Sequence, residues 1–379
     1  MNRIYYLINI LLIGGLLACQ TKLPGELHFN IEELGDDVCF MTEAQQNYFK
    51  DDNPESINDY TGLREVDESK SEAVTLTWTA LDENNRSPNK YHIYLSEDNF
   101  ETSVTYTSKS NSIDIYNLKI DTEYHYKIAG VYGSQEIVSD VYNFTTSDLG
   151  LRNINISTLS NIRDIGGMKT DGDYKIKQGL LYRCAELNES YTKTTLISKN
   201  DKSILLNDLK IKSEIDLRKV EVSDSGIETG GIKTSPLGSG VNYYSCPMVF
   251  GGSNVLTNED NRDSVKSFFS LLADENNYPM VFHCAQGKDR TGAMAYVIEA
   301  LLGVTSEMLL RDYLFTNFSD INGVCKYNDV MTTSKYGYQL SHYENGDTLK
   351  EKTYNYLINE IGITSDVLDN IISIFRTAE

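Results

Sequence analysis

Between Val74 and Ile128, apolar residues recur at every second position: Val74, Leu76 and Trp78, then Tyr91, Ile93 and Leu95, then Tyr124, Tyr126 and Ile128. A period of two places one side of each run against a core and the other in water, as in half-buried strands. Turn-forming stretches such as Asp82-Glu83-Asn84-Asn85 and Gly133-Ser134 separate the runs, so residues 71–147 are predicted to form a small all-β sandwich. After Ser147-Asp148 the pattern lengthens. Ser213–Arg218, Val241–Met248 and Tyr278–Cys284 read as strands, whereas Asp263–Ala273 and Thr291–Leu302 read as helices, the second stopped by Gly303. Strands alternating with helices predict an α/β domain over residues 148–379, a central mixed sheet flanked by helices.

The N-terminal part follows neither pattern. From Gln20 to Lys70 the chain is acidic and polar, with Glu32-Glu33, Asp36-Asp37, Asp51-Asp52 and Asp67-Glu68. Residues 19–70 therefore read as an acidic tether carrying one short helix near Met41–Phe49. Residues 1–18 hold one basic residue, Arg3, an apolar stretch from Ile4 to Leu17 broken by Asn9 and Gly14-Gly15, and a small Ala18 before Cys19. This is the pattern of an export signal, and the apolar part is too short for a transmembrane helix of about 20 residues.

The chain has 379 residues, long enough for two or three domains. A 40% share of hydrophobic residues is enough to build cores, and a net charge of -21 with no Lys/Arg cluster opposes nucleic acid and anionic lipid headgroups as partners. Any phosphate site must be local. Besides Cys19 and Cys284, four cysteines remain, Cys39, Cys184, Cys246 and Cys325. They allow three complete pairings, and buried free thiols stand beside disulfides as the alternative.

The stretch from His283 to Gly292 carries the chemistry. His283-Cys284-Ala285-Gln286-Gly287-Lys288-Asp289-Arg290-Thr291-Gly292 follows an apolar strand and opens an apolar helix. Such a junction turns successive backbone N–H groups into one concavity at the positive end of the helix dipole, an anion site. A cysteine at its base has its thiolate stabilised by the same donors, so its pKa falls below that of a free thiol. Arg290, six residues on, can fork two hydrogen bonds onto phosphate oxygens. A nucleotide-binding phosphate loop would need a glycine five residues before Gly287 and Ser or Thr after Lys288, and neither is present. A cysteine protease needs a histidine facing the thiol, but His283 is the neighbouring strand residue and points to the other face. No further Cys or His stands at zinc-ligand spacing.

Three resemblances follow from these residues. Leu16-Leu17-Ala18-Cys19 resembles the bacterial lipobox, which implies that Cys19 is lipidated, and Gln20 in place of Asp after it implies an outer-membrane lipoprotein of the cell envelope, periplasmic or surface-exposed. The runs at Leu76–Ala80, Tyr91–Asp98 and Asn117–Val131 resemble a fibronectin type III module, which implies a core role for Trp78 and a corner role for Tyr124. His-Cys-x5-Arg-Thr resembles the protein tyrosine phosphatase superfamily, and its variant here is similar to the atypical bacterial branch that includes secreted dual-specificity and phosphoinositide-active phosphatases. Asn161–Gly167, Lys175–Leu187, Glu214–Arg218 and Arg311–Asn317 resemble other blocks of that branch in order.

The last resemblance implies that Cys284 is the nucleophile, that Arg290 clamps the phosphate, and that the backbone from Ala285 through Gln286, Gly287, Lys288 and Asp289 to Arg290 cradles it. Thr291 would hydrogen-bond the sulfur, and His283 would orient the loop from behind. Asp289 and Asp216 are the candidate general acids, although the positive neighbours of Asp289 argue for a lowered pKa there. Arg163 and Asp164 would be salt-bridged supports, and Lys288 a rim charge favouring multiply phosphorylated substrates. Neither metal nor cofactor is implied, and the only membrane attachment is the N-terminal lipid. Three readings remain open: a phosphatase of phosphotyrosine, with phosphoserine or phosphothreonine as further substrates; a phosphoinositide or inositol-phosphate phosphatase; and a non-catalytic surface-binding lipoprotein. Residues 318–348, rich in Tyr, Asn and Ser, read as a lid or an insertion.

Overall fold

A computed structural model of the protein describes residues 26–62, 66–188, 196–220, 222–223, 226–249 and 255–378. The export signal and Cys19 lie outside them. The chain divides into two units. The first takes residues 26–33, Leu76–Ile113 and Tyr124–Asn143, and the second takes Leu34–Thr75, Asp114–Glu123 and Phe144–Glu379.

The first unit is built of antiparallel strands. Val74–Asp82 alternates strictly between buried and exposed positions, as its period of two requires, and pairs with Leu27–Ile31. Tyr91–Ser96 lies between Val104–Ser108 and Glu123–Tyr132. Trp78 is buried with its ring edge-on to Tyr91 at 5.2 Å, and Tyr124 is buried.

The unit boundaries differ from the sequence reading, with residues 71–75 and 144–147 of the stretch read as a sandwich falling in the second unit. Asp114–Glu123, inside the stretch read as a sandwich, also belongs to the second unit. Arg152 binds the Leu118 and Asn117 carbonyls there, and the Gln178 amide bonds both backbone groups of Ile120. Of the stretch read as an acidic tether, residues 34–62 and 66–70 are likewise folded into that unit, whereas Leu27–Ile31 is a strand of the first. Helix α1 (Glu43–Lys50) opens on a reciprocal capping box between Thr42 and Gln45. Arg311 donates to the Tyr48 carbonyl at 2.8 Å and to the Asp51 carbonyl. Phe49 meets Phe315 at 5.8 Å, and Tyr48 meets Phe318 at 6.0 Å. Charge pairs in the sequence concealed these aromatic anchors.

The second unit is organised by a six-stranded mixed sheet. In chain order its strands are β1 (Arg152–Asn153), β2 (Arg163–Asp164), β3 (Leu181–Cys184), β4 (Ser213–Asp216), β5 (Asn242–Ser245) and β6 (Met280–His283), and their spatial order is β1-β2-β3-β6-β4-β5. The three pairs β3–β6, β6–β4 and β4–β5 are parallel; the two pairs at the β1 edge are antiparallel. The three predicted strands form, β4 shortened at its C-terminal end and β5 and β6 at both ends.

Alternation along β6 sets up two hydrophobic layers. Met280, Phe282 and Cys284 enter a large core with Ile215 and Leu217, while Val281 faces a second core with Tyr182, Cys184 and Leu205. Among the helices, α2 (Arg262–Leu272), α3 (Asp289–Leu302) and α4 (Ser306–Phe315) supply Phe268, Val297 and Leu314 to the large core. α3 is buried almost all round and stops at Gly303, whose φ of +93° suits only glycine. Two later helices, α5 (Leu349–Tyr356) and α6 (Ser365–Phe375), complete that layer. Within residues 318–348, read as a lid or an insertion, Phe318, Cys325, Val330, Tyr336 and Leu340 are buried in this core.

Five cysteines, Cys39, Cys184, Cys246, Cys284 and Cys325, are free thiols, all but Cys39 buried. Among the described residues no helix is long and apolar enough to cross a membrane.

Candidate active site

β6 delivers Cys284 to the middle of the sheet, and α3 starts five residues later at Asp289. The turn between them is held from outside. The Ala285 carbonyl accepts from the Glu186 N–H at 3.0 Å, the Gln286 carbonyl from the Asn161 amide at 3.2 Å, and the Gly287 carbonyl from Arg183 at 2.8 Å. Three successive carbonyls are thus turned outward, which turns the peptide N–H groups inward. Among the described residues the N–H groups of Ala285 to Lys288 donate to no protein acceptor. Gly287 is required where it sits: its φ is +66°, and a Cβ there would lie 2.4 Å from the Cys184 carbonyl oxygen.

The supports are themselves braced. Arg183 also binds Asp312 of α4, and the same carboxylate takes the Arg163 Nε–H at 2.6 Å. Arg163 reaches the Asn161 side chain at 2.5 Å, so the residue that fixes Gln286 is fixed in turn. Asp164 pairs with Arg152 at 2.7 Å and accepts the Gly166 and Gly179 N–H groups. Arg163 and Asp164 are therefore both in salt bridges, with separate partners. Asp312 is held below the ordinary carboxylate range: burial raises its pKa, and the two arginines more than offset that.

Cys284 is buried, and its thiol pKa is lowered. Burial alone would raise it, but the Arg290 charge, the Thr291 hydroxyl and the Thr291 backbone N–H together outweigh burial. The Thr291 hydroxyl is buried with no other partner among the described residues. On the opposite face of β6 the His283 ring spans from Glu214, at 2.9 Å, to the Cys284 carbonyl, at 3.1 Å. Burial lowers the imidazole pKa, but Asp216 and Glu214 raise it further, so the net shift is upward.

Two of the predicted acids separate in this geometry. Asp216 is fully buried and bound twice by Arg218, at 2.7 Å through Nη2 and 3.0 Å through Nε, while the Tyr243 hydroxyl donates to it at 2.9 Å. Against the opposing effect of burial, His283 and Arg218 keep its pKa low. Asp216 is an ionised anchor, which removes it as a proton donor. Its ligand atoms lie near those of Glu214 and His283, but the Arg218 guanidinium occupies the same corner. For Asp289 the sign argued from sequence reverses: burial raises its pKa and outweighs the lowering by Lys288 and Arg290. The linear neighbours are charged, but the carboxyl's desolvation is set by the fold.

Sequence reasoning missed several members of the site. Glu228 accepts from Arg290 Nη1 at 2.6 Å, and it sits alone in a glycine-rich loop with no motif to mark it. Asn161, Arg183, Glu186 and Asp312 lie in blocks singled out above, but their reach to the loop depends on sheet order. Lys288, Asp289, Tyr313, Lys326, Lys335 and Tyr336 line a cavity of about 220 Å³ beside the loop.

Known proteins match part of this chain. A Cupriavidus necator protein, provisionally named a tyrosine-protein phosphatase, is 22% identical over 190 residues, 44% of this chain. The chain spans 64% of that relative's length. The core catalytic domain of the PP-IP phosphatase SIW14 from S. cerevisiae, crystallised with citrate, aligns at 19% identity with a TM-score of 0.27, covering 39% of this chain and 79% of that one. A likeness at that score is too slight to speak to fold or substrate. The family profile reaches further, matching residues 154–376 from before β2 through α6, and by that match the chain belongs to the tyrosine phosphatase family.

Proposed function

We propose that the protein is a cysteine-dependent phosphomonoesterase whose nucleophile is Cys284. The observation that carries this reading is the placement of Cys284 at the base of a loop whose carbonyls are held outward by Glu186, Asn161 and Arg183, and the lowering of its thiol pKa by Arg290 and Thr291 against burial goes with it. In the reaction the Cys284 thiolate attacks phosphorus, the bond to the substrate oxygen breaks, and a cysteinyl phosphate forms. Arg290 and the inward N–H groups carry the charge of the equatorial oxygens. Asp289, half-buried at the start of α3, protonates the leaving oxygen. Water then displaces the sulfur, with the Thr291 hydroxyl stabilising the departing thiolate and Asp289 taking the water's proton.

Protein phosphotyrosine is the substrate class that goes with the family, with phosphoserine and phosphothreonine as further members. A second reading, a compact multiply phosphorylated alcohol such as an inositol phosphate or phosphoinositide headgroup, is favoured by the lysines in the cavity beside the loop. Around the catalytic unit, the N-terminal signal pattern supports export and lipidation at Cys19, and the strand pattern with buried Trp78 and Tyr124 supports a fibronectin type III-like module. The intact pair of Cys284 and Arg290 weighs against a purely binding role.

The test is phosphate release by the full-length protein from an aryl phosphate and a phosphotyrosine peptide, with Cys284→Ser and Asp289→Asn beside it. Loss of turnover in Cys284→Ser is the expected result. Equal turnover in wild type and Cys284→Ser would overturn the reading.

A further inference from the structure

The catalytic unit carries another concavity that the reaction above does not use. The short helix Tyr336–Ser341 stands between the two: Lys335 and Tyr336 line the cavity beside the phosphate loop, whereas Thr333, Tyr338 and His342 line the other, a groove. Its volume is about 540 Å³, well inside the range of about 300–1,000 Å³ that ligand sites occupy.

Four rings set the character of the groove. Tyr338 and His342, one helical turn apart, stack with centroids 3.8 Å apart and 12° between their planes. The imidazole is fixed from its edge, with Nδ1 2.9 Å from the Tyr338 carbonyl oxygen and 3.0 Å from the Ser341 hydroxyl. Tyr343 meets Tyr356 of α5 edge-on at 5.3 Å, and its hydroxyl donates to Glu360 at 3.0 Å.

The charges on the walls have one sign. Glu344 and Glu360 are exposed carboxylates, and no lysine or arginine lines the groove. The nearest cations stand apart from it: the Lys352 ammonium is bound by the Ser341 carbonyl at 2.9 Å, and Arg262 acts on Tyr356 from behind the lining. Burial and then the Glu360 charge push the Tyr356 phenol up to about 12 in spite of Arg262, so the field at these rings is negative.

Ring faces beside carboxylates, with no cation on the walls, attract an organic cation through the ring quadrupole and through charge. We infer that the groove docks an arginine-bearing segment of a protein partner, the guanidinium held between the aromatic rings and the Glu344 and Glu360 carboxylates. A planar guanidinium both stacks on a ring and forks onto a carboxylate, which a compact ammonium does not. His342, Glu344 and Glu360 are exposed, so a side chain can enter from a peptide lying across the surface. The net charge of -21 steers a basic partner toward the protein and repels nucleic acid and anionic lipid.

The test measures binding to the full-length Cys284→Ser protein by fluorescence anisotropy, with two labelled Gly-Ser peptides. One carries spaced arginines, and the other carries citrulline, the neutral analogue, at the same positions. Binding of the arginine peptide should be tighter by at least about fivefold, an advantage lost both in Glu344→Gln/Glu360→Gln and in Tyr338→Ala. Glutamine at position 360 still accepts from Tyr343, so the double change removes charge and keeps the walls. Glu32→Gln/Glu33→Gln removes the same charge from exposed positions of the first unit and should leave binding unchanged. Equal weakening by that control, loss in only one groove variant, or competition by tetramethylammonium or cellotetraose as strong as by the arginine peptide would each overturn the proposal.

A consequence for substrates rests on the hydrolytic reading above. A phosphotyrosine peptide flanked by arginines should show a KM at least about fivefold below that of its citrulline counterpart, a difference absent from Glu344→Gln/Glu360→Gln. Aryl phosphate turnover should be the same in that variant as in wild type. Turnover with no arginine preference would overturn the docking role. Wild type that binds arginine in the groove yet releases no phosphate would count against the hydrolytic reading alone.

Discussion

Glu228 Oε2 takes two hydrogen bonds, one from Arg290 Nη1 at 2.6 Å and one from the Lys219 backbone N–H at 2.7 Å. One carboxylate therefore ties the Arg290 guanidinium to the loop after β4. Arg290 also reaches toward the Leu217 and Met248 carbonyls, at 3.4 and 3.3 Å. The side chain is held in place before any phosphate arrives, so little ordering remains when a substrate binds.

Glu228→Ala should lower kcat/KM by about tenfold, the scale of a hydrogen bond to a charged group. The same change should lower the Cys284 pKa further, since the Arg290 charge is no longer partly neutralised. Alkylation of Cys284 by iodoacetamide as a function of pH checks this. Faster alkylation at mildly acidic pH together with slower turnover is the expected pairing, and unchanged values of both would refute the link.

The pH profile has a worked-out sign. Cys284 has a lowered pKa and must be ionised, so kcat/KM rises with pH from a point below the ordinary thiol range. Asp289 has a raised pKa and must be protonated, so the rate falls once pH passes that carboxyl's folded pKa. Asp289→Asn should remove the falling limb. It should also slow alkyl phosphates, which need a protonated leaving group, by roughly 10²-fold or more, and leave activated aryl phosphates much less affected.

Asp289 bears on stability as well. A carboxyl with a raised folded pKa contributes stability below its unfolded pKa and loses it as pH rises through the folded value. Asp289→Asn should therefore raise the melting temperature at neutral and alkaline pH and change it little at acidic pH. Melting curves across pH test the sign, and a lower midpoint at neutral pH would contradict it.

Much of this site could be read along the chain. Cys284, Arg290, Gly287 and the start of α3 lie within one strand-loop-helix junction, whose chemistry is local and needs no knowledge of sheet order. The alternation of Val74, Leu76 and Trp78 likewise fixes a strand by itself. What escaped reading was non-local. Asp216 and Asp289 differ as acids because of burial and the approach of Arg218, neither visible in the linear neighbours. The folded place of Tyr48, Phe49 and Asp51 depends on Arg311, some 260 residues away, and no periodicity records that. Glu228 became part of the site only when the loop after β4 turned back on Arg290.

Gly287→Ala is the sharpest test of the loop's shape. The added methyl would sit 2.4 Å from the Cys184 carbonyl oxygen in a backbone conformation that costs a side chain about 1–2 kcal/mol. The loop must shift, and a displacement near 1 Å can cost on the order of 10²-fold in rate. A steep fall in kcat with the rest of the fold retained by circular dichroism is expected, whereas near-wild-type kcat would show that the outward carbonyls do not set the site.

Arg183→Ala should be costly in a different way. It leaves the buried Asp312 with one arginine fewer and the Gly287 carbonyl without its side-chain donor. Removing one member of a buried ion pair typically costs about 3–5 kcal/mol. Urea denaturation measures this, and a loss below about 1 kcal/mol would mean that the network contributes little to holding the loop.

The central claim is that phosphate passes through Cys284. Full-length protein mixed with an aryl phosphate, quenched in acid within a turnover and digested, should yield the peptide containing Cys284 carrying one phosphoryl group on sulfur. The same peptide from Cys284→Ser should show no phosphorylated cysteine and that variant no turnover. Wild-type turnover without any phosphorylated Cys284, or turnover that persists in Cys284→Ser, would contradict the account.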